Sequence, residues 1–104
     1  MVRLAVSMGD PAGVGPELCV KAALSPEFAR VEFRFFGSQD VLDEAWRRWG
    51  EGSAAPAAAF DGGLGFADVP VGRADARCGR LAYDALTAAT ESVKRGECAA
   101  LVTA

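Results

Sequence analysis

The sequence predicts an α/β fold, a parallel or mixed sheet with helices packed on it. Three observations lead there. Strand-like and helix-like stretches alternate in the order strand, helix, strand, helix, loop, helix, strand. The first and last strand candidates are short, almost continuous apolar runs, as buried parallel strands are. A loop rich in Gly and Pro joins the first strand directly to the first helix.

Arg3 to Ser7 (RLAVS) forms the first apolar run and ends in Met8-Gly9. Gly9 to Glu17 (GDPAGVGPE) holds three Gly and two Pro and reads as the loop. Pro16 suits the first turn of a helix, where its missing N–H is harmless, with Gly15 as cap. Glu17 complements the positive end of that helix's dipole. The helix is expected to run to Leu24, with Leu18, Cys19 and Ala22 on its buried side. Ser25-Pro26-Glu27 restarts a short helical turn. Val31 to Phe36 (VEFRFF) alternates and predicts a second strand. Ser38 caps a helix over 40–49, with Val41, Leu42, Ala45, Trp46 and Trp49 at helical spacing, and Gly50 stops it.

Glu51 to Ala59 (EGSAAPAAA) has no periodicity and reads as a loop. Beyond it, a short strand is expected near 67–71. The strongest helix is expected over 80–95, with Leu81, Ala82, Ala85, Leu86, Ala89 and Val93 on one face and Gly96 at its end. Ala99 to Val102 (AALV) supplies the last strand.

A chain of 104 residues suffices for one small domain. Its 51% of hydrophobic residues overstates core material, because 21 residues are Ala. The net charge is −3 and the basic residues do not cluster beyond Arg47-Arg48, which argues against a nucleic-acid partner. No apolar run approaches ~20 residues, so no membrane span is expected, and Met1 to Ser7 does not read as a signal peptide. Cys19, Cys78 and Cys98 are scattered, without a Cys-x-x-Cys pair. They read as small buried residues in a reducing cytoplasm. The chain contains no His, the commonest metal ligand and the commonest general base. No metal site and no catalytic residue is therefore assigned within it.

The loop sits where backbone N–H groups can hold an anion, between a strand and a helix. Its spacing, Gly9-x-x-x-Gly13-x-Gly15, is neither the dinucleotide fingerprint nor a phosphate-binding P-loop. From the pattern alone it is either a ligand-contacting loop or a tight structural turn. Asp10 either faces a polar ligand or bonds to its own turn. The aromatic group Phe33, Phe35, Phe36, Trp46 and Trp49 reads as core.

The stretch Ser7-Met8-Gly9-Asp10-Pro11-Ala12-Gly13-Val14-Gly15-Pro16-Glu17 resembles the opening M-G-D-P-A-G-I-G-P-E signature of the 4-hydroxythreonine-4-phosphate dehydrogenase family, with Val14 in place of Ile. Gly79 opening a long Ala-rich helix, followed by Leu101-Val102-Thr103-Ala104, is similar to the family's approach to a T-A-P-x-x-K segment. The stretch 47–77 matches little. The resemblance implies that residues 1–104 are a single incomplete α/β domain, the N-terminal part of a longer two-domain enzyme. That enzyme would have a fold like isocitrate and isopropylmalate dehydrogenases. It would be a cytoplasmic homodimer that oxidises a small phosphorylated substrate, 4-phosphohydroxy-L-threonine, with NAD and a divalent metal on the route to pyridoxal phosphate.

By the same resemblance Asp10, Gly13, Gly15, Glu17 and Thr103 would face the substrate. The metal-binding His residues have no counterpart here, so the chain alone is expected to be inactive and to hold neither cofactor. Two alternatives stay open. One is a related dehydrogenase of another four-carbon phosphorylated hydroxy acid. The other is a stand-alone anion-binding module without catalysis.

Overall fold

A computed structural model describes all residues, Met1–Ala104. Four strands, β1 (Val2–Ser7), β2 (Val31–Gly37), β3 (Phe60–Asp61) and β4 (Ala100–Thr103), form one sheet in the order β3-β2-β1-β4. Every pairing is parallel, with Val6 opposite both Phe35 and Val102. The helices are α1 (Gly15–Leu24), α2 (Gln39–Trp49) and α3 (Ala76–Lys94). Single 3-10 turns at Pro26–Phe28 and Phe66–Asp68 join them.

Alternation along the strands separates two faces. Val6 and Phe35 point to α1 and α2, where Cys19, Val20, Val41, Leu42, Ala45 and Trp46 complete the larger core cluster. Phe35 stacks on Phe33 and meets Trp46 edge-on, with ring centroids 6.0 and 5.9 Å apart. Ala5 and Phe36, one residue along each strand, point to α3 and its Ala85 and Ala89. Small residues there let α3 lie close to the sheet.

Helix ends follow the local chemistry. Ser38 caps α2, its Oγ accepting from the Val41 amide at 3.3 Å. That hydroxyl also donates to the Leu64 carbonyl at 2.5 Å. Asp75 caps α3 by accepting from the Arg77 amide at 2.8 Å. The helix therefore begins at Ala76, earlier than its apolar stripe suggests, and Gly79 lies inside it. α1 starts at Gly15, so the expected Gly15 cap is corrected: Val14 holds the cap position and contributes no side-chain bond, and Pro16 lies in the first turn.

Three expectations are corrected. No strand forms over 67–71; the third strand is Phe60–Asp61, recruited when the Ala59 amide bonds the Phe35 carbonyl at 2.8 Å. Leu18 is 46% exposed, because Cys19 and Val20 carry the buried side of α1. Leu86 and Trp49 also stand at the edge of their helix faces, 38% and 36% exposed. All three cysteines are buried and free. No helix is long and apolar enough to cross a membrane.

The stretch 62–75 runs as a strap from β3 to the loop after β1. The Gly62 amide bonds Gly37, the Phe66 amide bonds the Asp40 carboxylate at 2.7 Å, and the Gly72 amide bonds the Ala12 carbonyl at 2.9 Å. Arg48 lies over the Phe66 ring at 5.2 Å.

Candidate functional site

The strand order places the site. From β1 the chain moves outward to β2 and β3 with α1 and α2 on one face, then returns past β1 to β4 with α3 on the other. The direction of winding therefore reverses between β1 and β4. In open parallel sheets, ligands bind beyond the carboxyl ends of the strands at this reversal. Here those ends carry the Gly9–Glu17 loop and Thr103-Ala104.

The loop is built by its own hydrogen bonds. Asp10 makes an Asx turn: its Oδ1 accepts from the Ala12 amide at 2.8 Å, and its carbonyl accepts from Gly13 at 3.0 Å. Pro11 and Ala12 are buried, and Asp10 and Gly13 are exposed. Gly9 has φ +75°, a left-handed conformation that favours glycine. A Cβ on Gly9 would overlap the Ala104 carbonyl oxygen, and one on Gly15 would overlap the Met8 carbonyl oxygen. A Cβ on Gly13 would meet only the Asp10 carbonyl, at an ordinary 3.5 Å. Internal packing thus explains Gly9 and Gly15 but not Gly13.

Glu17 is half-buried and bonds Lys21 one turn on, Nζ to Oε2 at 2.6 Å. With Gly13, Pro16, Trp49 and Phe66 it lines a groove of about 70 Å³ between the loop and α2. Thr103 does not share that groove. It is exposed on the edge strand, in register with Ser7, and the Ala104 amide bonds the Ser7 carbonyl at 2.9 Å. The structure therefore brings Gly13 and Glu17 together, buries Gly15, and leaves Asp10 and Thr103 exposed near the reversal. Gly9, whose contact with Ala104 ties loop to strand, is the residue that the reading by substrate contact missed. A glycine at a strand exit was its only sequence signal.

The Cys19 and Cys78 thiols are not poised to act as nucleophiles. Burial pushes the Cys19 thiol up to about 12. Burial, then the charges of Asp10 and Asp75, raises that of Cys78. No group of three or more His, Cys, Asp or Glu side chains is placed to hold a metal ion.

No protein-family profile matches the chain. Among curated proteins, the 4-hydroxythreonine-4-phosphate dehydrogenase of Synechococcus sp. strain JA-3-3Ab is 35% identical over 111 residues, which cover 98% of this chain and 32% of that protein. A Bradyrhizobium diazoefficiens protein provisionally named D-threonate 4-phosphate dehydrogenase is 36% identical over 117 residues, 98% of this chain and 34% of its own length. Among solved structures, that of a 4-hydroxythreonine-4-phosphate dehydrogenase from Burkholderia phymatum superposes with a TM-score of 0.83 at 25% identity, over 99% of this chain and 36% of the other. Strand order, signature loop and these matches agree: the chain belongs to the 4-hydroxythreonine-4-phosphate dehydrogenase family, and it spans about a third of the length of the curated relatives it matches.

Proposed function

We propose that this chain supplies one wall of the substrate site in an NAD-dependent dehydrogenase that oxidises 4-phosphohydroxy-L-threonine in pyridoxal phosphate biosynthesis. The observation that carries the reading is Gly13. It is the glycine of the signature loop that no internal contact requires, and it stands exposed beside the reversal of the sheet. A bare backbone there lets a ligand approach the main chain closely. Asp10 and Thr103 would add a carboxylate and a hydroxyl for a polar, phosphorylated hydroxy acid. Gly15 supports the loop from behind by packing, and Glu17 pairs with Lys21 one turn along α1. The groove beside Glu17, at about 70 Å³, is well below the roughly 300–1,000 Å³ of typical ligand pockets. The reading puts the substrate at the β1–β4 exit, where the winding of the sheet reverses, rather than in that groove.

Oxidation of the alcohol needs a hydride acceptor, and the following loss of carbon dioxide needs an electrophile beside the forming enolate. The donors in this chain do not fit a divalent metal: it has no His and no acidic cluster. The loop spacing does not fit a dinucleotide fingerprint either. Both groups would be held by polypeptide that corresponds to the remaining length of the relatives. A fold like isocitrate and isopropylmalate dehydrogenases, a cytoplasmic homodimer, and inactivity of these 104 residues alone complete the reading.

The test is to assay the chain alone, and then a polypeptide of the relatives' length that contains it, with 4-phosphohydroxy-L-threonine, NAD and a divalent cation. Reduced nicotinamide formed by the longer polypeptide alone is the expected result. Activity restricted to D-threonate 4-phosphate would move the substrate to the second reading, which the Bradyrhizobium relative favours. Phosphate-ester binding with no oxidation of either compound would leave the non-catalytic module in its place.

A further inference from the structure

Three backbone segments converge at the exit of β1. Met8 continues the ladder to β2, its amide bonding the Phe36 carbonyl at 3.0 Å. Gly9 then turns the chain in a left-handed conformation, and the end of β4 lies directly on it: a Cβ at Gly9 would be under 3.0 Å from the Ala104 oxygen and 3.4 Å from its carbonyl carbon. Gly15 closes the joint from the start of α1, where a Cβ would overlap the Met8 oxygen and stand 3.7 Å from the Ala104 carbonyl carbon. The β1–β4 ladder runs to this point, with Thr103 in register with Ser7 and the Ala104 amide bonded to the Ser7 carbonyl. All four of its residues are exposed, and its outer edge carries no neighbouring strand.

We propose that Gly9 is a positioning residue that clears the space in which the Thr103-Ala104 end of β4 seats against the exit of β1, while Gly15 clears the Met8 carbonyl behind it, and that the joint so fixes the Thr103 hydroxyl at the sheet's reversal. Two of the three loop glycines then act through backbone packing rather than ligand contact. The consequence for substrate rests on the dehydrogenase reading above; the joint itself does not.

The chain contains its own control. Gly96 has φ +78° and nothing within 4 Å of an added Cβ. Gly96→Ala therefore introduces left-handed strain alone, whereas Gly9→Ala introduces the same strain and the collision. The measurement is amide hydrogen exchange in the whole chain, read at the Ala104 amide bonded to Ser7 and at its neighbours in β4. Gly9→Ala should accelerate exchange there by about tenfold or more beyond any change across the rest of the sheet. Gly96→Ala should not single out β4. Equal profiles for the two variants would overturn the proposal.

Should Gly9→Ala fail to fold, the same substitution in a chain ending at Thr103 decides the matter. Removing Ala104 removes the colliding carbonyl, so the shortened variant should fold and match Gly96→Ala made in the same shortened chain. Equal damage with and without Ala104 would reject the joint. In a catalytically competent longer polypeptide, Gly9→Ala should raise KM for the phosphorylated substrate severalfold while Gly96→Ala leaves it. Altered β4 exchange with unaltered KM would keep the joint and remove Thr103 from the substrate site.

Discussion

The two faces of the sheet are built differently from neighbouring residues of the same strands. Phe35 and Phe36 are adjacent, yet Phe35 enters a cluster of 12 buried residues under α1 and α2, and Phe36 enters one of 5 under α3. The first face is filled by large interlocking side chains. The second is closed by alanines, and beside it a cavity of about 300 Å³ stays open between Arg34, Phe60, Arg95 and Cys98. Side-chain size, more than apolar content, separates the two faces.

Substitution of each phenylalanine tests that difference most directly. Phe35→Ala removes a ring held by Phe33 and Trp46 and should destabilise the chain by about 3–5 kcal/mol in urea unfolding. Phe36→Ala leaves a hole that the open side can partly absorb, and should destabilise by about 1 kcal/mol less. An equal or larger loss at Phe36 would mean that the α3 face is as tightly built as the other.

Ser38→Ala comes next. Its hydroxyl caps α2 and anchors the strap at Leu64, and both bonds go with it. A loss of about 1–2 kcal/mol is expected, with faster amide exchange in 62–72. Stability loss without strap exchange would show that the cap alone matters.

Thiol labelling sharpens the comparison without altering the core. Cys98 borders the cavity on the α3 face, whereas Cys19 sits inside the denser cluster with its thiol pushed up to about 12. Under native conditions an aromatic disulfide reagent should reach Cys98 first, and Cys19 only as fast as the chain unfolds. Simultaneous labelling of both would show that opening is global on either face.

Much of this was readable beforehand, because it depends on neighbours in sequence. Ser38 as a cap, Pro16 in the first turn of α1 and the alternation in Val31–Phe36 are local signals, and each matches the structure. What was hidden depends on distant partners. Two residues, Phe60 and Asp61, carry no periodicity and become a strand only because β2 offers an edge. The strap over 62–75 is fixed by Ser38, Asp40 and Ala12, none of which its own sequence predicts. At the site, the loop was recognisable by its glycines. Gly9 is explained by its left-handed turn and by a carbonyl from the opposite end of the chain, and no reading of nine consecutive residues could have supplied that partner.

The smallest expected effect belongs to the outer surface of the dense face. Glu44 accepts bonds from Arg47 at 2.5 Å and Arg48 at 3.0 Å, and these hold its carboxyl at about 2, below the ordinary 4.5. A depressed carboxyl pKa adds stability that is fully present above the unfolded value and is lost as pH falls from about 4.5 towards about 2. Glu44→Gln should therefore lower stability slightly near pH 7 and match the parent below about pH 2, which flattens the acid limb of the stability curve. Both arginines are exposed, so salt should screen the interaction and shrink the difference between variant and parent. An acid limb unchanged by Glu44→Gln would show that this cluster is solvated decoration on α2, and that the tightness of this face resides wholly in the side chains beneath it.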